Sequence, residues 1–124
     1  MKEYKIFLDD ILIGTTNFEF ADVPMGIIFG KVNFINVDQP YQFIKNYYSK
    51  KNVQFDFDDK EKFIDSMIQE FIKVHYDEDK ILIGWGAFLS GVNNDFEITF
   101  GGIESELMKS KFLHHYYDYY GETD

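Results

Sequence analysis

The chain predicts an α+β fold: one domain, residues 1–124, in which a mostly antiparallel sheet of about six strands carries two or three packed helices. Three observations lead there. Between Phe71 and Gly102 three runs with strand character, FIKVHY, ILIGWGAFLSG and FEITFGG, are separated by two acidic turns. Segments beginning at Pro40, Asp58 and Gly102 instead space their apolar residues by three and four, as helices do. The 124 residues, 45% apolar and 19% aromatic, supply one real core but not two.

Taken in order, Tyr4, Ile6 and Leu8 alternate as a half-buried strand, Asp9-Asp10 turns, and Ile11 to Ile13 returns, with Gly14 ending the hairpin or marking a bulge. Thr15 to Phe20 reads as a short strand. Ala21 to Gly26 is a break, because Pro24 moves Val23 out of helical geometry. Ile27 to Val37 is strand-like with apolar groups on both faces, the pattern of an inner strand covered twice. Pro40 suits a first helical turn, and Tyr41, Ile44 and Tyr48 share the face that follows. Lysines at 50 and 51 suit the end of that helix.

Val53 to Phe57 is a short strand or connector. Asp58 and Glu61 have the spacing of a capping box, and Phe63, Ile64, Met67 and Ile68 predict a helix ending near Gln69. Ile72, Val74 and Tyr76 then alternate as a strand. Past the turn at Asp77 to Lys80, Ile81, Ile83, Trp85, Ala87 and Leu89 are expected on one strand face. Gly84 and Gly86 fall on the other, where a helix or a ligand would fill the space they leave. Phe96, Ile98 and Phe100 point inward from the last strand. Met108, Phe112, Tyr116 and Tyr119 or Tyr120 line a final helix that Gly121 stops, with residues 122–124 fraying.

Charge narrows the function classes. Twenty-two acids against twelve bases give a net charge of −10, which opposes binding to nucleic acid or an anionic membrane and favours a basic protein partner. The absence of cysteine excludes disulfides and thiolate chemistry and fits a cytoplasmic protein. Met1 to Tyr4 leads straight into a strand, so no signal peptide is expected, and no apolar run approaches the ~20 residues of a membrane span. No nucleophile elbow, phosphate loop or zinc helix occurs, and an enzyme is not expected. His114 and His115 with Asp118 raise a metal site. Adjacent histidines point to different sides of a helix, however, and no second ligand cluster accompanies them, so neither metal nor cofactor is assigned.

The surplus acids and tyrosines form the candidate contact residues. Asp58, Asp59 and Glu61 cluster at one expected helix start, and Asp77, Glu78 and Asp79 in one turn. Tyr116, Tyr117, Asp118 and Tyr120 crowd the last helix, too many rings for all to face a core. Tyrosine is an amphipathic anchor, and an acidic rim around it suits a basic partner. Acids belong at helix starts and turns in any case, so each cluster also has a plain structural reading.

Two segments carry a family resemblance. In the first, Gly14-Thr15-Thr16 is followed by Glu19, Asp22, Pro24-Met25-Gly26 and Phe29-Gly30; the second joins Phe112 to His114-His115. Both resemble small bacterial proteins found among the immunity proteins of polymorphic-toxin and contact-dependent inhibition systems. The resemblance implies a cytosolic inhibitor that covers the active site of a cognate toxin domain, often a basic nuclease, and it transfers no functional residue. Glu19 and Asp22 are read only as ordering the turn at Pro24. Two other readings stay open: a small-ligand or enzymatic pocket near Trp85, and self-association as a homodimer through the tyrosine-rich helix.

Overall fold

The computed structural model describes residues 2–77 and 80–121. The chain advances as antiparallel hairpins that alternate between two sheets. β1 (Tyr4–Leu8) pairs with β2 (Ile11–Thr16); β3 (Phe20–Asp22) and β4 (Ile27–Lys31) pair in the second sheet; β5 (Asn33–Phe34) returns to β2. After α1 (Pro40–Lys50), β6 (Phe55–Asp58) and β7 (Phe63–Ser66) join the second sheet, and β8 (Ile72–Tyr76) and β9 (Lys80–Ile81) the first. β10 (Gly86–Val92) and β11 (Asp95–Gly101) complete the second sheet before α2 (Ser105–Lys111) and α3 (Leu113–Tyr120). The strand orders are β5-β2-β1-β8-β9 and β3-β4-β11-β10-β7-β6. Ile6, Leu8, Ile13 and Val74 of the first sheet share one core with Ile28, Ile64, Leu89 and Ile98 of the second. This is the expected α+β class, with its strands divided over two sheets.

Helix α1 forms as its sequence dictates. Pro40 occupies the first turn, and Tyr41, Ile44 and Tyr48 are buried. The Ser66 hydroxyl donates to the Tyr48 hydroxyl at 3.1 Å, tying the helix to β7.

The segment after Asp58 is not the expected helix. The Asp58 carboxylate does accept two backbone N–H groups, from Lys60 at 2.9 Å and Glu61 at 3.2 Å, as an N-cap would. The chain then turns back through Lys62 at φ 55° into a hairpin. Ile64 is buried, whereas Met67 and Ile68, its expected companions on a helix face, are exposed. Pairing with β10 decides the matter: Phe63 lies opposite Val92 and Ile64 opposite Gly91. Spacing within one short apolar run does not distinguish a helix from a strand followed by an exposed link.

Two expected strands are each broken by a change of sheet. Residues 27–37 divide at Val32, whose N–H donates to the Phe96 carbonyl at 2.9 Å, so both of its faces are apolar because it serves two sheets in turn. Residues 81–89 divide at 82–85. Ala87 and Leu89 are buried, but Ile81, Ile83 and Trp85 are exposed and do not share their face. Neither a helix nor a ligand fills the space at the glycines. A Cβ on Gly84 would lie 2.5 Å from the Phe100 ring and 2.6 Å from the Gly101 carbonyl, and one on Gly86 would meet Ile68 at 2.8 Å.

Smaller departures follow the same logic. Phe18 at φ 47° separates Thr15-Thr16, in β2, from Phe20, in β3, and Gly14 remains inside β2. The final helix breaks at Phe112 (φ −124°, ψ 47°), so it is two helices and not one. Gly121 stops it as expected, its N–H donating to the Tyr117 carbonyl at 2.7 Å. The expected fraying of residues 122–124 lies outside the described residues.

Candidate functional site

The single tryptophan is the most unusual side chain of the fold. Trp85 is 74% exposed, yet its position is closely set. The Trp85 backbone N–H donates to the Gly101 carbonyl at 2.9 Å. Its ring lies on bare backbone: a Cβ on Gly102 (φ +80°) would come within 2.5 Å of Trp85 Cγ, and one on Gly101 would touch Cε3 at 3.6 Å. Where residues 82–85 cross between sheets, the double glycine lets the indole seat itself facing water.

Around it lies a groove of about 880 Å³. Gly26 (φ +68°) sets one wall: its carbonyl accepts the Ile103 N–H at 2.9 Å, which holds Pro24 and Met25 against the start of α2. Ile83 at 71% exposure and Met25 at 59% join Trp85, with Tyr76 and Leu107 behind them. A cluster of large apolar groups this open is the kind of surface from which protein contacts and ligand grooves are built. Glu104 and Glu106 stand at its lip. The ion pairs found among the described residues join Lys2 and Lys111 to Asp77, Lys45 to Asp59 and Lys51 to Asp9, so neither lip carboxylate is engaged in one.

The acids and tyrosines selected from the sequence lie on separate elements. Asp58 ends β6, and Asp59 and Glu61 occupy the β6–β7 turn, not a helix start. Asp59 accepts from Lys45 Nζ and from the Tyr41 hydroxyl, both at 2.7 Å, and these contacts, lysine first, hold its carboxyl below the usual range. Asp77 is likewise lowered, first by Lys2 at 3.0 Å. Glu78 and Asp79 lie outside the described residues. Tyr117, Asp118 and Tyr120 are exposed on α3, while Tyr116 is half-buried, its ring 4.8 Å from that of Tyr120. Of the residues expected around a pocket, Trp85 and Gly84 line the groove and Gly86 does not. Met25 and Leu107 were missed as groove residues; the glycine pair at 101–102 was the available signal.

The histidines build structure. His115 is buried, with Nε2 2.6 Å from the Phe18 carbonyl, an N–H···O bond that fastens α3 to the left-handed turn at Phe18. The His114 ring lies against it, tilted by 39° with centroids 3.9 Å apart. Burial, then the neighbouring His115, keeps His114 below its ordinary pKa, against the pull of Asp118. Among the described residues no group of three or more His, Asp or Glu side chains converges as a metal site would require, and no helix is long and apolar enough to cross a membrane. Compared with protein-family models, with curated proteins and with solved structures, the chain finds no match.

Proposed function

We propose that the chain is a cytoplasmic acidic inhibitor of a basic protein, with a toxin domain as the partner class, and that Trp85 is its principal anchor. The observation that carries this reading is the indole of Trp85, open to water but seated on the Gly101–Gly102 backbone before any partner arrives. Tryptophan is enriched at binding hot spots, and an anchor already in place loses little freedom on binding. The net charge of −10 supplies the attraction to a basic partner.

The test begins with the genes beside this chain's: where one encodes a secreted protein with a toxic C-terminal domain, that domain is co-expressed with the chain. The wild-type chain should co-purify with that domain and suppress its toxicity. Trp85→Ala should weaken the complex at least tenfold, about 1.4 kcal/mol or more, with an unchanged melting curve. A wild-type chain that neither binds nor protects rules the reading out. The groove also lies within the ~300–1,000 Å³ range of small-molecule sites, which favours a ligand as second reading. Saturable quenching of Trp85 emission by a metabolite, with no effect on the toxin domain, would establish that one instead.

A further inference from the structure

The outer face of the six-stranded sheet carries more contact chemistry than the clusters selected from the sequence. Residues paired across antiparallel strands project to the same side. Phe20 pairs with Phe29, Phe29 with Thr99, and Thr99 with Phe88, making one cross-strand row. The Phe20 ring stacks on Phe29 at 5.4 Å and is 54% exposed. Gly101 lies two residues from Thr99 on that side and is covered by the Trp85 ring, so the row continues into the tryptophan groove. The helices leave this face open: α1 enters the core through Tyr41, Ile44 and Tyr48, and α2 and α3 through Met108, Phe112 and His115.

Carboxylates border the aromatic row. The same register puts Asp22 beside Ile27, Glu97 beside Ser90 and Lys31, Asp95 beside Val92, and Asp56 beside Asp65. Lys31 is the one lysine in these rows, and none of these acids takes part in an ion pair found among the described residues. The opposite outer face differs, since Lys5 and Lys73 project there beside His75 and Phe7.

We infer that the outer face of the six-stranded sheet, with Trp85 at its edge, is the docking surface for a protein domain presenting an apolar centre ringed by lysine and arginine. The inference rests on the binding reading above and specifies its geometry. Charge complementarity selects the occupant. A phosphate backbone is repelled by the same carboxylates, and two copies meeting through this face would oppose like charges.

The experiment uses the full chain with the same toxin domain as probe. One variant combines Phe20→Ser, Asp95→Lys and Glu97→Lys; a control combines Tyr117→Ala, Tyr119→Ala and Tyr120→Ala on α3. The first should weaken binding at least a hundredfold and slow association, and the second should stay within threefold. The reverse ranking overturns this surface while leaving the binding reading intact. A wild-type chain that does not bind the probe removes both. Should the first variant fail to fold, hydroxyl-radical footprinting of the wild-type complex replaces it: protection of Phe20, Phe29, Phe88 and Trp85 supports the surface, and protection of the α3 tyrosines alone overturns it. A concentration-dependent dimer in sedimentation that Glu97→Lys dissociates overturns it as well, because a second copy then occupies the face.

Discussion

Gly102 holds the left-handed φ and the close approach on which the exposed indole depends. An alanine there meets both penalties, since its Cβ would lie 2.5 Å from the backbone nitrogen and Cγ of Trp85. Gly102→Ala is expected to cost about 1–3 kcal/mol and to shift the tryptophan emission, both read from one urea titration followed by fluorescence. Titrating groups give a second expectation. The carboxyls of Asp9, Asp59 and Asp77 are held below 3.8 in the fold, each chiefly by a lysine contact. Carboxyls lowered in this way stabilise the fold above the unfolded value, and that support is lost as pH falls through the folded one. His114 is held below 6.5, so the fold resists its protonation and loses stability as pH drops beneath that value. The urea midpoint should therefore decline on acidification from about pH 6.5, and further below about pH 4. His114→Gln should remove the upper step alone, and Asp59→Asn should shrink the lower one. A midpoint that rises on going from pH 7 to pH 5 would contradict this sign.

At the scale of elements, the hairpin β6–β7 is the clearest difference between pattern and fold. Ile64 points into the core and Met67 does not. Ile64→Ala should cost about 2–4 kcal/mol, whereas Met67→Asp should change stability by less than about 0.5 kcal/mol. A helix over this segment demands comparable losses at both, so the pair of denaturation midpoints separates the two folds. Helix α1 was legible because its start, apolar face and basic end agree with one another. Strands β1, β8 and β11 were legible because each has one wet face and one dry one. Residues 27–37 and 81–89 were not, because a strand that changes sheet and one covered on both sides leave the same apolar pattern. Asp58 accepts two backbone N–H groups without capping a helix, because an acid that satisfies such groups serves a hairpin turn as well as a helix start.

Across the whole molecule the two sheets present outer faces of opposite character, lysines on one and carboxylates with aromatics on the other. That asymmetry should govern kinetics. Association with the proposed toxin-domain partner, followed by stopped-flow, is expected to slow at least tenfold between 0.1 M and 1 M salt, as the screening length contracts from about 10 Å to about 3 Å. An on-rate indifferent to salt would leave the carboxylates without a role in capture. The sequence by itself determined the α+β class, the β10–β11 hairpin, the helix at Pro40 and the negative charge, but not the three-strand meander expected over residues 71–102, whose first strand joins the other sheet. Each of those follows from local alternation, turn chemistry or composition, which act within a few residues. Tertiary structure alone decided which acids are neutralised by lysines, which aromatics share a face, and that the tryptophan looks outward. Those outcomes depend on cross-strand register and on where the chain changes sheets, which are settled only when segments far apart in sequence compete to bury their apolar sides in one core.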